Sequence, residues 1–285
     1  MSTDVRTRRV GEALKIAHAR LARLSENPAL DAQVLLAYIF EVERVWLLAH
    51  PEAELNAAQA AAFEAGLACL ERGEPLPYII GEWEFFGLKL KVTPDVLIPR
   101  PETELLVETA LAWLDVHPGR RRAADVGTGS GCIPVALAAK VPDLRIAAGD
   151  ISQAALAVAR ANVERYSLQE HIKLTETNLL EGLHGPFDLI LSNLPYIPEG
   201  RLPELPITKW EPLVALSGGK DGLRFIEPFL AQAVAKTAPQ ALVLAEMDAS
   251  LEAAVRLLAR KNWPQAHIEV RPDLAGLPRL LVVQT

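Results

Sequence analysis

A short apolar strand that runs into a polar turn is encoded by Asp188-Leu189-Ile190-Leu191-Ser192-Asn193-Leu194-Pro195-Tyr196-Ile197-Pro198. The run Leu189–Leu191 is typical of a central strand of a parallel sheet. Pro195 and Pro198 lack amide donors and prevent the sheet from continuing. Open α/β sheets bind ligands at the carboxyl ends of their strands, where Asn193 and Tyr196 are placed. An ordinary strand-ending turn is the alternative, because Asn and Pro are common in turns.

The pattern on both sides of this stretch alternates strand and helix from about residue 122 onward. Short apolar runs predict strands, and amphipathic segments between them predict helices. This alternation predicts an α/β fold with a doubly wound, mostly parallel sheet and right-handed crossovers. The predicted strands are 123–126, 144–149, 172–175, 187–191 and 241–245, with closing strands at 268–270 and 280–283. A long Pro- and Gly-rich connection, 198–222, follows the turn, and connections of that length are often functional.

The chain ahead of the sheet has a different character. Residues 1–73 show apolar residues at helical spacing and predict an N-terminal all-helical domain. Residues 74–99 contain short β-rich pieces separated by Pro and Gly, which predict a β-hairpin linker. Residues 100–285 then form the α/β domain. A helix is predicted over 103–116, and Arg100 is held between two prolines just before it.

Composition excludes several classes of protein. The chain has 285 residues, a formal net charge of −7 and two cysteines. A broad basic face for nucleic acid is therefore not expected, although residues 1–24 carry six Arg or Lys, including Arg6 and Arg8. Two isolated thiols form neither a disulfide framework nor a zinc pattern. No apolar run reaches the ~18 residues of a membrane span, so a cytoplasmic protein with no membrane partner is expected.

A glycine cluster and an acidic residue suggest a nucleoside site. Gly127, Gly129 and Gly131 lie between a predicted strand and a predicted helix, where glycine lets the backbone approach a ligand and the helix start offers free amide donors. Asp150 ends the next strand, about 20 residues later, where a carboxylate can accept hydrogen bonds from a ribose diol. An ordinary tight turn and a helix-capping aspartate are the alternatives. NAD also remains possible, although the G-x-G-x-G spacing is not the phosphate-binding one.

Asn193 favours group transfer over hydride transfer. A neutral carboxamide is neither a strong base nor a nucleophile, but it can accept a hydrogen bond from an incoming NH2 group, and the Leu194 carbonyl can accept the second hydrogen. Tyr196 can pack over such a planar group. Two fixed acceptors would aim the nitrogen at an electrophile, and a methyl sulfonium needs no metal. No metal-ligand cluster is evident among His18, His50, His117, His171, His184 and His267.

Several motifs together resemble a known family. Asn193-Leu194-Pro195-Tyr196 resembles the Asn-Pro-Pro-Tyr motif of amino-group methyltransferases, and Asp125–Gly131 resembles their cofactor loop. The segments Gly81–Gly87, Leu97–Glu104 and Trp210–Pro212 resemble the peptide chain release factor N5-glutamine methyltransferase family, as do the helical domain and the hairpin. The resemblance covers essentially the whole chain. It implies a Rossmann-like methyltransferase sheet, a role in translation termination and S-adenosyl-L-methionine as the cofactor.

The resemblance also implies residue roles. Asp150 would bind the ribose, and Arg100 would shape the edge of the cofactor pocket. Asn193 would be the catalytic residue and, with the Leu194 carbonyl, would hold the side-chain amide of the glutamine. The cofactor site would comprise Gly127, Thr128, Gly129, Ser130, Gly131, Asp150, Asn178, Leu179 and Asn193. The glutamine site would comprise Asn193, Leu194, Pro195 and Tyr196. Leu194 replaces the family's first proline but keeps the backbone carbonyl, and Asn178-Leu179 stands where the family often has an acidic residue followed by an aromatic one.

The implied substrate is the glutamine of the Gly-Gly-Gln loop of a bacterial release factor, with the helical domain docking that protein. A monomer is expected, with no direct nucleic-acid substrate. Related alternatives are another protein glutamine, such as one in a ribosomal protein, and adenine in DNA or RNA, because the same turn suits any planar NH2 group. A nucleotide-dependent oxidoreductase and a non-catalytic adenosine-binding module would share the fold, and fold alone does not choose between them.

Overall fold

The computed structural model describes residues 9–285, so Arg6 and Arg8 of the basic N-terminal segment lie outside the described residues. The chain divides into two compact units after Gly81, inside the stretch predicted as a linker. The first unit is helical as far as it is described, and the second holds the sheet. The three-part division into 1–73, 74–99 and 100–285 stays a prediction.

The first unit packs helices on helices. Asn56 begins the longest of them with a capping box, in which it exchanges hydrogen bonds with Gln59. Gly66 on that helix faces Leu35, so the two helices approach closely. A short helix occupies 76–80, where the sequence predicts β-rich pieces, because Pro75 and Pro77 suit a helix start. The helices are α1 Val10–Leu21, α2 Pro28–Phe40, α3 Arg44–Ala49, α4 Ala57–Glu71 and α5 Leu76–Ile80.

A β-hairpin opens the second unit, as the sequence predicts. Strands β1 Glu82–Phe85 and β2 Leu88–Lys91 pair antiparallel. Their two-residue turn, Phe86-Gly87, has both residues at positive φ, 53° and 74°, which matches the twist that hairpins require. The fully buried Asn162 binds this hairpin to the body of the unit, because its side chain bonds both the amide and the carbonyl of Lys91, at 2.7 and 2.9 Å.

The main sheet of the second unit is mostly parallel and doubly wound, which confirms the predicted fold class. Within the described residues it has seven strands in the order β5-β4-β3-β6-β7-β9-β8, and β3 to β7 run parallel to one another. The last two strands are antiparallel additions. The strands are β3 Arg122–Val126, β4 Arg145–Asp150, β5 Ile172–Glu176, β6 Phe187–Ser192, β7 Thr237–Glu246, β8 His267–Pro272 and β9 Pro278–Gln284.

Helices cover both faces of this sheet. The helices are α6 Pro101–Val116, α7 Cys132–Lys140, α8 Gln153–Arg165, α9 Ile226–Val234 and α10 Glu252–Asn262. Leu189 and Leu191 of β6 pack in the cluster under α6, α7 and α8, whereas Ile190 packs in the cluster under α9 and α10. Because β6 is buried on both faces, its sequence is a continuous apolar run rather than an alternating one. No helix among residues 9–285 is long and apolar enough to cross a bilayer.

Candidate active site

A pocket opens at the carboxyl ends of β3, β4 and β6. From β3 the strand order runs one way through β4 and β5 and then returns to β6, so the chain reverses direction beside β3. Such switch points are where open α/β sheets bind ligands. The predicted site residues that line this pocket are Gly127, Thr128, Gly129, Ser130, Asp150, Asn178, Leu179, Asn193, Leu194 and Pro195. Gly131 and Tyr196, also predicted for the site, are not part of this lining.

The glycine loop brings backbone to the pocket wall. Gly127 and Gly129 adopt positive φ, 75° and 55°, a region that side chains disfavour. A Cβ on Gly127 would lie 3.1 Å from the Leu194 side chain, whereas one on Gly129 would meet no described atom within 4 Å. Gly129 therefore leaves room for a ligand against the loop. The amides of Gly127 and Thr128 bond to the Gly149 carbonyl at 2.9 and 3.0 Å, which ties the loop to β4.

Asp150 is fixed by backbone amides at the end of β4. Its Oδ2 accepts from the Gly129 amide at 2.8 Å, and its Oδ1 accepts from the Ser152 amide at 2.9 Å. Burial raises the pKa of this carboxyl above its ordinary value, and the amide hydrogen bonds oppose that rise. Each oxygen keeps a further lone pair, so an oriented carboxylate edge is available in the pocket lining. These acceptors fit the two hydroxyls of a ribose diol.

A second acid, Asp125, lies buried in β3 immediately before the glycine loop. Neither of its carboxyl oxygens has a hydrogen-bond partner among the described residues. The pKa of Asp125 is raised to about 7, chiefly by burial and in smaller part by the charge of Asp150, while the nearby Thr128 hydroxyl opposes the rise. An unpaired buried carboxylate is costly, so this group lowers the stability of the ionised protein.

We expect Asp125→Asn to stabilise the protein, more at high pH than at low pH. The pKa of Asp125 is about 7 in the folded chain against an ordinary 3.8. The folded state therefore binds more protons between those values, and stability falls as pH rises through that window. Asparagine removes this dependence. The difference in Tm between variant and wild type should grow from pH 4 to pH 7 and then stay constant, whereas parallel Tm curves would contradict the assignment.

The Asn193 carboxamide is held by a buried hydrogen-bond relay. Its Nδ2 donates to the Thr103 hydroxyl at 3.0 Å, and that hydroxyl donates to Glu246 Oε2 at 2.7 Å. The Tyr196 hydroxyl donates to the other oxygen, Oε1, at 3.1 Å. Glu246 is 2% exposed. Burial raises its pKa, while the hydroxyls of Thr103 and Tyr196 and the charge of Arg279 lower it.

The backbone of the Asn193–Tyr196 turn is held from the other side by the loop after it. The Ile197 amide donates to the Leu216 carbonyl at 3.1 Å, and the Gly218 amide donates to the Ile197 carbonyl at 2.8 Å. A Cβ on Gly218 would lie 2.7 Å from the Tyr196 backbone, so glycine is required for this close approach. Connection 198–222, which the sequence leaves without secondary structure, forms three 3₁₀ turns and supports the turn that carries Asn193.

The remaining lining combines predicted and unpredicted residues. Arg100 lies at the pocket edge and forms an ion pair with the buried Glu211, joining the segment before α6 to the loop after β6. Asn178 donates through Nδ2 to Glu181 at 3.1 Å, and Leu179 lies beside it in the lining. Sequence reasoning missed Thr103, Phe225 and Glu246. No group of His, Cys, Asp and Glu suited to a metal ion occurs in the described part of the chain.

Solved structures share this fold. A methyltransferase from Pyrococcus furiosus superposes with a TM-score of 0.52 at 18% identity, covering 80% of this chain and 98% of its own. The catalytic domain of hMettl16 superposes with a TM-score of 0.56 at 14% identity, covering 100% of this chain and 96% of its own. These likenesses concern the fold alone. Together with the glycine loop and Asp150 at the switch point, they define the class by its fold, a Rossmann-like sheet with a ligand pocket at the switch point.

Sequence relatives give the family within that class. Residues 12–81 match the PrmC N-terminal domain, and residues 101–204 match the methyltransferase small domain. The release factor glutamine methyltransferase of Moorella thermoacetica is 40% identical over 256 residues, 89% of this chain and 90% of the relative. That of Coxiella burnetii is 37% identical over 276 residues, 96% and 98% of the two chains. The chain belongs to the release factor glutamine methyltransferase family.

Proposed function

We propose that this protein transfers a methyl group from S-adenosyl-L-methionine to the side-chain amide nitrogen of the glutamine in the Gly-Gly-Gln loop of a bacterial release factor. The observation that carries this proposal is the orientation of Asn193. Its Nδ2 is engaged with Thr103, so its Oδ1 remains as an acceptor in the pocket lining. An acceptor next to the Leu194 carbonyl matches a substrate that presents two N–H donors.

The pocket fits the proposed cofactor. Asp150 offers an oriented carboxylate to a ribose, and Gly129 leaves space for a ligand against the loop. The lining is otherwise largely apolar, with Ile133, Ile151 and Phe225 among its residues, which suits an adenine ring and a thioether chain. When bound, S-adenosyl-L-methionine supplies an electrophilic methyl group. Gly127, Thr128, Ser130, Asn178 and Leu179 would complete its site.

The chain's contribution to the reaction is to hold and orient the nucleophile. The lone pair of an amide nitrogen is delocalised, so the nitrogen is a poor nucleophile. Hydrogen bonds from its two hydrogens to Asn193 Oδ1 and the Leu194 carbonyl favour positive charge on the nitrogen as the bond to carbon forms, and therefore strengthen in the transition state. Pro195 limits movement of the turn, and Tyr196 is held by Glu246. The extra proton leaves the nitrogen after the transfer.

The helical unit is the proposed docking element for the release factor. Several large apolar side chains on and near α3 are exposed, including Val45 at 76% and Leu48 at 54%. Trp46 lies beside them and stacks on His50 with a centroid distance of 4.3 Å. Exposed apolar groups of this kind mark interaction surfaces. We place the protein in the cytoplasm with translation, acting as a monomer on a protein substrate.

A labelling experiment tests the proposal. Purified unmethylated release factor, incubated with tritiated S-adenosyl-L-methionine and the protein, should acquire label. The same factor with alanine in place of the Gly-Gly-Gln glutamine should not. Label in both factors would contradict the assigned site. Label that appears only when ribosomal proteins or nucleic acid are supplied would overturn the substrate but keep the methyltransferase.

A further inference from the structure

The two ends of the Asn193 carboxamide are not equivalent in the proposed reaction. The oxygen end accepts hydrogen bonds and suits an incoming NH2 group, whereas the nitrogen end donates and would suit a carboxylate. Glutamine and glutamate have nearly the same shape. A site that selects one of them must therefore fix which end of Asn193 is presented to the substrate.

The structure fixes that end through one hydroxyl proton. Thr103 has a single hydroxyl hydrogen, and it donates that hydrogen to Glu246 Oε2 at 2.7 Å. The hydroxyl oxygen can then only accept from its other neighbour. Asn193 lies 3.0 Å away through Nδ2. Flipping the amide would place Oδ1 against the Thr103 lone pairs, with no hydrogen between two oxygens, so the flipped form is disfavoured.

Glu246 is the origin of this directionality. A carboxylate accepts hydrogen bonds and donates none, and its two oxygens take one hydroxyl each, from Thr103 and from Tyr196 at 3.1 Å. The acid is buried at the end of β7, Thr103 lies in the first turn of α6, and Asn193 follows β6. Three separate elements therefore converge on one carboxylate, which does not itself line the pocket but bonds Thr103, which does.

We propose that Glu246 is a positioning residue that acts through Thr103 to hold the Asn193 amide with its oxygen toward the substrate, so that the site accepts glutamine and rejects glutamate. The selection of glutamine rests on the proposed function, whereas the fixed orientation of Asn193 does not. The relay also holds the ring of Tyr196, so a single buried carboxylate orients both polar side chains of the turn.

Thr103→Val tests the relay with little change of side-chain volume. Valine neither accepts from Asn193 nor donates to Glu246. We expect kcat for methylation of release factor to fall by about 10- to 100-fold, since a positioning hydrogen bond is lost, with a smaller change in KM. Thr103→Ser restores the hydroxyl and should recover most of kcat. Thr109→Val removes another buried hydroxyl from the same helix, outside the relay, and should leave kcat within about twofold.

The selectivity itself is measured by binding. Release factors carrying Gly-Gly-Gln and Gly-Gly-Glu are titrated against the wild type and both valine variants. The wild type and Thr109→Val should prefer the Gln form by about tenfold or more, because two acceptors repel a carboxylate. Thr103→Val frees the Asn193 amide to rotate. In this variant the ratio of affinities for the Gln and Glu forms should therefore fall toward one. Equal preferences and equal kcat in the two valine variants would overturn the proposal.

A measurement without substrate separates this proposal from the proposed function. The side-chain NH2 signals of Asn193, assigned by their loss in Asn193→Ala, report its hydrogen bond to Thr103. They should be protected from exchange with solvent in the wild type and in Thr103→Ser, and should lose that protection in Thr103→Val and in Glu246→Leu, which offers Thr103 no acceptor. Unchanged protection in both of these last variants would refute the relay. A wild type that methylates no release factor but shows this pattern would refute only the substrate assignment.

Discussion

Asn193→Ala is expected to lower kcat for release factor methylation by about a thousandfold or more while the fold stays intact. The substitution removes the Oδ1 acceptor that orients the substrate nitrogen, and losses of this size follow when an oriented hydrogen-bonding group is removed from a catalytic site. Asn193 is half-buried at a strand end and makes its side-chain bond to Thr103. The cost to folding should therefore be small beside the cost to turnover. Single-turnover kinetics with saturating substrates measure the effect.

A change at the next residue provides the matched control. Leu194 is proposed to contribute its backbone carbonyl, and its side chain packs near Gly127. Leu194→Met keeps the carbonyl and about the same volume, so kcat should stay within about threefold of the wild type. Thermal melts of both variants establish that each is folded. A near-normal kcat for Asn193→Ala, or equal losses in the two variants, would remove Asn193 from the proposed mechanism.

The sheet could be predicted because its signals are local. Continuous apolar runs such as Leu189–Leu191 and helical segments between them identify a parallel sheet with both faces covered. The bounds were less predictable. The strand predicted over 241–245 extends over Thr237–Glu246, and the helix predicted over 103–116 begins two residues earlier, as Pro101–Val116. The residues that flank an element can either continue it or belong to the next loop. Packing of the neighbouring elements, which the local sequence does not show, decides where the element ends.

The pocket was predictable for residues at strand ends, because a single rule places them together. Asp150, Asn193 and the glycine loop each follow a strand, and the carboxyl ends of parallel strands share one edge of the sheet. The relay was not predictable in this way, because Thr103 is 90 residues from Asn193 and 143 from Glu246. A signal for Glu246 was present nevertheless. It ends an apolar strand just as Asp150 does, and the strand-end rule applied to every acid would have selected it.

The cofactor site carries the second large effect, which is expected for Asp150→Ala. We expect affinity for S-adenosylhomocysteine to fall by about 10- to 100-fold, since a charge-assisted hydrogen bond contributes about 1.5–3 kcal/mol. Two causes contribute. The carboxylate would no longer meet the ribose, and the amides of Gly129 and Ser152 would lose their acceptor. Isothermal titration calorimetry measures the combined loss, but this one number does not separate ribose recognition from support of the loop.

A double-mutant cycle with a ribose analogue separates these causes. An analogue of S-adenosylhomocysteine without the 2′- and 3′-hydroxyls should bind the wild type less tightly, by about the same factor that Asp150→Ala costs the natural ligand. If Asp150 binds the diol, the variant should bind both ligands almost equally, because the hydroxyls then have no partner to lose. If Asp150 only supports Gly129 and Ser152, the affinity lost through the substitution and the affinity lost through removal of the hydroxyls are independent. The variant should then bind the analogue more weakly than the natural ligand, by the same factor as the wild type does. That result would leave the glycine loop as the site of cofactor recognition and reduce Asp150 to a backbone anchor.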